Sequence, residues 1–166
     1  MQQTSCLNDS TDIDNAADNK HHAAALLDID VVVVPCVGDA GYAMRQMRAL
    51  DLSTGGDGRD DLPIILKPLR QKGYFRFGEP NAQILKTFLE MQDDYGIYLD
   101  LLYGAPAWNI ILQHWEAAKY GSETSDPSPI KGRQIMYVHS GGLEGVSSQL
   151  TRYKHKGLID SRKVQN

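Results

Sequence analysis

Apolar periodicity is almost absent from residues 1–20, where Asp9, Asp12, Asp14 and Asp18 face only Lys20 as counter-charge. Such a stretch cannot bury enough surface to offset its ordering entropy, so residues 1–22 are expected to form a disordered acidic tail. The pattern changes at Ala23-Ala24-Ala25-Leu26-Leu27, which reads as a short helix. Ile29-Asp30-Val31-Val32-Val33-Val34 follows, a β-branched run suited to a strand buried on both faces of a parallel sheet. Pro35 ends it. The Gly-containing loop 36–41 then leads into a helix with Met44, Met47 and Leu50 on one side and Arg45 and Arg48 on the other.

Asp51 to Leu62 is a loop by composition, and Ile64-Ile65-Leu66 is a short second strand. Tyr74 to Pro80 is irregular, with Tyr74, Phe75 and Phe77 expected to pack. Pro80-Asn81 opens a strong helix whose apolar face is Ile84, Leu85, Phe88, Leu89 and Met91; Lys86 and Glu90 pair on its surface, and Gly96 ends it. Ile97 to Leu102 reads as a third strand and Gly104-Ala105-Pro106 as a turn. Trp108, Ile111, Leu112, Trp115 and Ala118 then recur at helical spacing up to Gly121. After a loop over 121–132, Gln134 to His139 reads as a fourth strand, and Ser140-Gly141-Gly142 turns into a helix through Val146, Leu150 and Tyr153.

Strand and helix therefore alternate. The expected fold is α/β, an open and mostly parallel sheet with helices on both faces in three layers. It would span 23–157, leaving 158–166 as a frayed basic end. At 166 residues one domain is expected. A net charge of -4 argues against a nucleic-acid surface spread over the domain, and no apolar run approaches a membrane span. The N-terminus lacks the basic-then-apolar order of a secretory signal. Cys6 and Cys36 form neither a ligand cluster nor a disulfide framework, and His21-His22 stand at the edge of the polar tail without a zinc-like partner. A reducing, cytoplasmic setting is the default expectation.

Ligands of open parallel sheets sit at the carboxyl ends of the strands. The loops 36–41, 103–106 and 140–142 follow predicted strands and precede predicted helices. In Ser140-Gly141-Gly142, two glycines let a ligand approach the backbone, the helix start offers unpaired N–H groups, and Ser140 adds a hydroxyl; the same residues also suit a plain N-cap and turn. Gly38-Asp39-Ala40-Gly41 has the same placement, but Asp39 would repel a phosphate and makes a good N-cap. The loop is neither a Walker P-loop nor a dinucleotide fingerprint. Tyr103 could act as a general acid or hold a substrate carboxylate, or simply pack. Trp108 and Trp115 read as core, and His139 as a hydrogen-bonded structural group.

Taken in order, Gly96-Ile97-Tyr98-Leu99-Asp100-Leu101-Leu102-Tyr103 and Tyr137-Val138-His139-Ser140-Gly141-Gly142 resemble the C-terminal half of the aminocyclopropane-carboxylate deaminase / D-cysteine desulfhydrase family. These are pyridoxal-phosphate enzymes of the tryptophan-synthase-β fold type. There a helix leads through a glycine into a strand reading roughly Leu-Asp-Pro-Val-Tyr, and a later strand ends in His-Thr-Gly-Gly. The resemblance covers about 29–157 and is strongest over 78–157.

By this resemblance the cofactor is pyridoxal 5'-phosphate. Tyr103 takes the place of the tyrosine that faces the substrate. Ser140, with Gly141 and Gly142, falls near the pyridine nitrogen, and Gly38, Ala40 and Gly41 fall where the phosphate is wrapped. The implied reaction is α,β-elimination on a small amino acid such as D-cysteine, giving ammonia and a keto acid. Gly104-Ala105-Pro106 replaces the family's Thr-Gly-Lys or Glu-Gly-Lys. The lysine that anchors the cofactor lies upstream in the family; Asn19-Lys20 matches its Asn-Lys context but sits in the polar tail. Two rival expectations stand beside the enzyme: a truncated or diverged non-catalytic relative acting as a binding or interaction module, and a nucleotide-binding α/β module. The partners implied are a small amino acid and either a second copy or a missing N-terminal half, with no nucleic acid and no membrane.

Overall fold

Two short strands supply the sheet. β1 (Val32–Val33) and β2 (Ile64–Ile65) run parallel, with Val32 opposite Ile64 and Val33 opposite Ile65. Ile64 N–H donates to Val31 O at 2.8 Å and Leu66 N–H to Val33 O at 2.9 Å. Parallel pairing requires a crossover, and α1 (Ala40–Ser53) lies in it. This computed structural model describes residues 29–59, 62–120, 128–139 and 141–159. The expectations for the acidic tail, the Ala23–Leu27 helix, Gly121, Ser140 and the last residues fall outside that range.

The other helices are α2 (Ala82–Tyr95), α3 (Gly104–Tyr120) and α4 (Val146–His155), the last entered through a 3-10 turn at Leu143–Gly145. α2 is delimited by its caps. Asn81 Oδ1 accepts from Gln83 N–H at 2.8 Å and Ile84 N–H at 3.4 Å, and Gly96 closes the helix at φ 65°. Its inner face, Ile84, Leu85, Phe88 and Met91, packs with Leu99, Leu101, Ala105 and Tyr153 in one core cluster. Leu66, Ile110, Ile111 and Ile130 form a second, and Phe75 and Trp108 touch both. α3 therefore joins both clusters, packing with α2 in one and with Leu66, just past β2, in the other. Lys86 and Glu90 pair at 3.5 Å on the α2 surface. Among the described residues no helix is long and apolar enough to cross a membrane.

The molecule is thus mixed helix and strand, with a smaller sheet than the sequence pattern predicts. Residues 97–102 and 134–139 are not laddered strands. Leu99, Asp100 and Leu101 are buried, but the carboxylate of Asp100 turns the chain into α3. Residues 134–139 alternate inward and outward as an extended chain does, with Met136 and Val138 exposed, but no backbone pairing joins them to β1 or β2. The Val-rich run is also not sandwiched, for Val31 is exposed and Val32 to Val34 only partly buried. α1 runs on to Ser53, past the predicted loop start, and holds no buried residue; Leu50 points to solvent. Gly104-Ala105-Pro106 is not a turn but the first turn of α3, where a proline costs nothing. Trp115 is exposed, because the buried side of α3 runs through Ile110, Gln113 and His114 instead.

Two truncations separate packed from unpacked apolar residues. Ile84→Ala is expected to cost about 2–5 kcal/mol in urea unfolding, and Leu50→Ala under about 0.5 kcal/mol. Equal losses would contradict the unpartnered face of α1.

Candidate functional site

Asp100 is almost fully buried, at 2% exposure. Its Oδ1 accepts from Leu102 N–H (2.8 Å) and Tyr103 N–H (2.6 Å), and its Oδ2 from Gly104 N–H (2.8 Å). Its carbonyl accepts from Ala105 N–H at 2.8 Å. One residue thus satisfies the donors that the start of α3 leaves open, and those donors in turn make the buried carboxylate tolerable. Two glycines are forced to fit around it. A Cβ on Gly104 would lie 2.9 Å from Asp100 Oδ2, and one on Gly142 would lie 3.0 Å from its Cγ, with Gly142 at φ 96°.

The carboxyl ends of three chain segments meet here. Cys36, just beyond β1, donates to Val34 O and Tyr103 O, each at 3.6 Å. Burial, and then the charge of Asp100, push its thiol up to about 11. Tyr137 is raised by burial, then by Asp100 and Cys36, so it too belongs to this cluster. Its ring packs on Trp108 at 5.3 Å and edge-on to His139 at 6.0 Å. His139 Nδ1 accepts from Gly141 N–H at 3.2 Å. Tyr103 stands half-exposed with its ring 5.4 Å from Phe77, free to meet a ligand from outside.

A second feature lies at the start of α1. Gly38 to Gly41 wall an open cleft of about 380 Å³ whose other side is the loop after β2, including Lys67, Gln71, Lys72, Gly73 and Tyr74. Gly38 has φ 74°, and a Cβ there would strike the Tyr42 ring at 2.8 Å, so only glycine serves. Gly41 has no such constraint. Asp39 caps α1 through Oδ1, accepting from Tyr42 N–H at 2.7 Å. Ala40 and Gly41, at the first two helical positions, keep N–H groups with no partner among the described residues. Tyr74 donates to Leu66 O at 2.9 Å, and burial followed by the Asp39 charge raises its pKa.

The structure thus brings Tyr103 and Gly142 together around Asp100, with Gly141 beside His139. It places Gly38, Ala40 and Gly41 in the α1 cleft, while Ser140 lies outside the described residues. Sequence reasoning passed over Cys36, Asp100, Lys67 and Lys72. The lysines had a readable signal: they follow the carboxyl end of β2 just as 36–41 follows that of β1. Asp100, inside an apolar run, was the marker of a helix cap. Among the described residues no group of His, Cys, Asp and Glu could hold a metal. No protein-family model and no curated protein matches the chain.

With Cys6 replaced by serine, alkylation of Cys36 should accelerate up to about pH 11 rather than level off near 9.0. Asp100→Asn should bring the midpoint down, because it removes the nearby negative charge. The fold favours the protonated thiol, so stability is full below pH 9.0 and declines as pH rises toward 11. A midpoint unmoved by Asp100→Asn would place the two groups too far apart to interact.

Proposed function

We propose that this chain is the cofactor-binding part of a pyridoxal-phosphate-dependent lyase or deaminase acting on a small amino acid. The observation that supports it most is the α1 cleft, where a glycine-walled helix start faces two lysines. A phosphate monoester needs N–H donors and cations, and Ala40 N–H, Gly41 N–H, Lys67 and Lys72 are of that chemistry. Asp39 opposes it, but one carboxylate oxygen is engaged in the cap and two cations stand against one anion. The residues present therefore fit the phosphate end of the group. The start of α3 does not fit an anion, since Asp100 already fills it.

When bound, the cofactor would supply an electron sink for breaking a bond at the α-carbon of an amino acid. The chain's own residues would do the rest. Gly38 to Gly41 with Lys67 and Lys72 would bind and orient the phosphate. Gly141 and Gly142, with Ser140 by resemblance, would border the ring. The Tyr103 phenol, half-exposed and steadied by Phe77, would hold or pass a proton at its oxygen. With D-cysteine and water, the products would be sulfide, ammonia and pyruvate. The same reading carries the fuller three-layer sheet and a cytoplasmic setting.

A second reading has support of its own. Both helix starts that face the site carry a capping carboxylate, Asp39 and Asp100, and α1 has no buried residue. A non-catalytic relative acting as a binding or interaction module accounts for both.

Titrating the full chain with pyridoxal phosphate and with pyridoxal tests the proposal. The phosphate form should bind at least about tenfold tighter, and Lys67→Ala/Lys72→Ala should remove most of that difference. Equal binding of the two forms would end the reading. Sulfide release from D-cysteine, lost in Tyr103→Phe, would separate the enzyme from the binding module.

A further inference from the structure

The lysines of the cleft sit on a loop that is held from behind. Gln113, in the middle of α3, is 4% exposed. Its Oε1 accepts from Leu69 N–H at 2.8 Å and Arg70 N–H at 3.1 Å. Its Nε2 donates to Gln71 Oε1 at 3.1 Å and to Asn109 Oδ1 at 2.9 Å. Both lone pairs and both hydrogens of the amide are used, which also fixes which end is oxygen, since two backbone donors meet it. The next residue, His114, is 5% exposed and donates from Nε2 to Lys67 O at 2.8 Å, with Nδ1 facing the Ser128 hydroxyl at 3.2 Å. One helical turn on from Gln113, Glu116 pairs with Arg70.

A loop with no regular structure is thus gripped at Lys67, Leu69, Arg70 and Gln71 by one face of α3. Lys67, itself held through its carbonyl, and Lys72, just past Gln71, line the cleft opposite Gly38 to Gly41. A lysine binds phosphate as a mobile point charge, and ordering it on binding costs affinity. Fixing the backbone beforehand removes part of that cost.

We propose that Gln113 is the positioning residue that gives the cleft its preference for phosphate-bearing ligands over the same ligands without phosphate. The proposal rests on the phosphate reading of the cleft. Gln113 touches no ligand. It acts through the backbone that carries Lys67 and Lys72, so its loss should weaken the phosphate-dependent part of binding and leave the rest.

The test compares pyridoxal phosphate with pyridoxal on the full chain. In Gln113→Met the wild-type preference should fall about tenfold, with pyridoxal binding unchanged. Gln113→Glu keeps an acceptor for Leu69 and Arg70 N–H but loses the donors to Gln71 and Asn109, and should retain more of the preference than the Met variant. A general loss of stability would lower both ligands together and would refute the proposal, as would a Met variant that keeps the full preference; the cleft reading would survive either. A wild type with no preference removes the cleft reading and the proposal with it. Should Gln113→Met not fold, the wild type still decides. Leu69 and Arg70 amides should be protected from hydrogen exchange without ligand, and unprotected amides there would overturn the pre-fixed loop.

Discussion

The buried carboxylate of Asp100 is the constraint around which the rest of the unit is arranged. A charge at this depth is tolerated only with donors close on both oxygens, and Leu102, Tyr103 and Gly104 at the entry to α3 provide them. That requirement fixes where α3 begins, and hence the position of Tyr103 one residue before it. It also keeps glycine at 104 and 142, since any side chain there would collide with the carboxyl group. The segment after His139 is therefore brought close to α3 by an absence of bulk rather than by attraction. The same negative charge reaches Cys36 and Tyr137, so three distant stretches of sequence share one electrostatic environment.

α3 then transmits that placement. Its start is set by Asp100, its apolar positions Ile110 and Ile111 meet Leu66 beside β2, and its polar positions Gln113 and His114 hold the following loop. Nine residues of helix separate Gly104 from Gln113, about 13 Å at the rise of an α-helix. The Tyr103 end and the lysine end of the candidate site are consequently spaced by a rigid rod rather than by loops. Among the buried polar residues, Asp100, Gln113 and His114 are spent on a helix start and a loop.

Some of this was legible in the sequence, and the physics explains which parts. α2 was plain because Asn81, the apolar face and Gly96 all argue for the same helix. The order of β1, α1 and β2 and the loop after β1 were also readable from local pattern. Residues 97–102 misled because a run of buried apolar residues looks the same in a strand and in an extended lead-in to a helix. Only Asp100 distinguishes the two, and its role depends on contacts with residues that follow it. Pro106 reads as a turn former until the helix start is known. Trp115 misled because α3 buries polar residues, so its inner face cannot be found from hydrophobicity. Lys67 and Lys72 follow the second strand as 36–41 follows the first, and the parallel pairing of β1 and β2 then sets them across one cleft. Ser140 and Lys20 lie outside the described residues.

The lack of any buried residue in α1 has an energetic consequence for the cleft it walls. A helix with no fully buried residue, tied outside itself mainly by the Gly58 N–H bond to Asp51 and partial packing, opens below the free energy of global unfolding. Gly38 to Gly41 are presented to a ligand only in the fraction of molecules where that helix is formed. A ligand that needs them binds with its intrinsic affinity divided down by this fraction, and in binding draws the population toward the formed helix. Whatever covers the Met44 and Met47 side of α1 would raise the fraction and tighten the cleft without touching it. Affinity at the glycine wall is in that sense governed from the opposite face of the same helix.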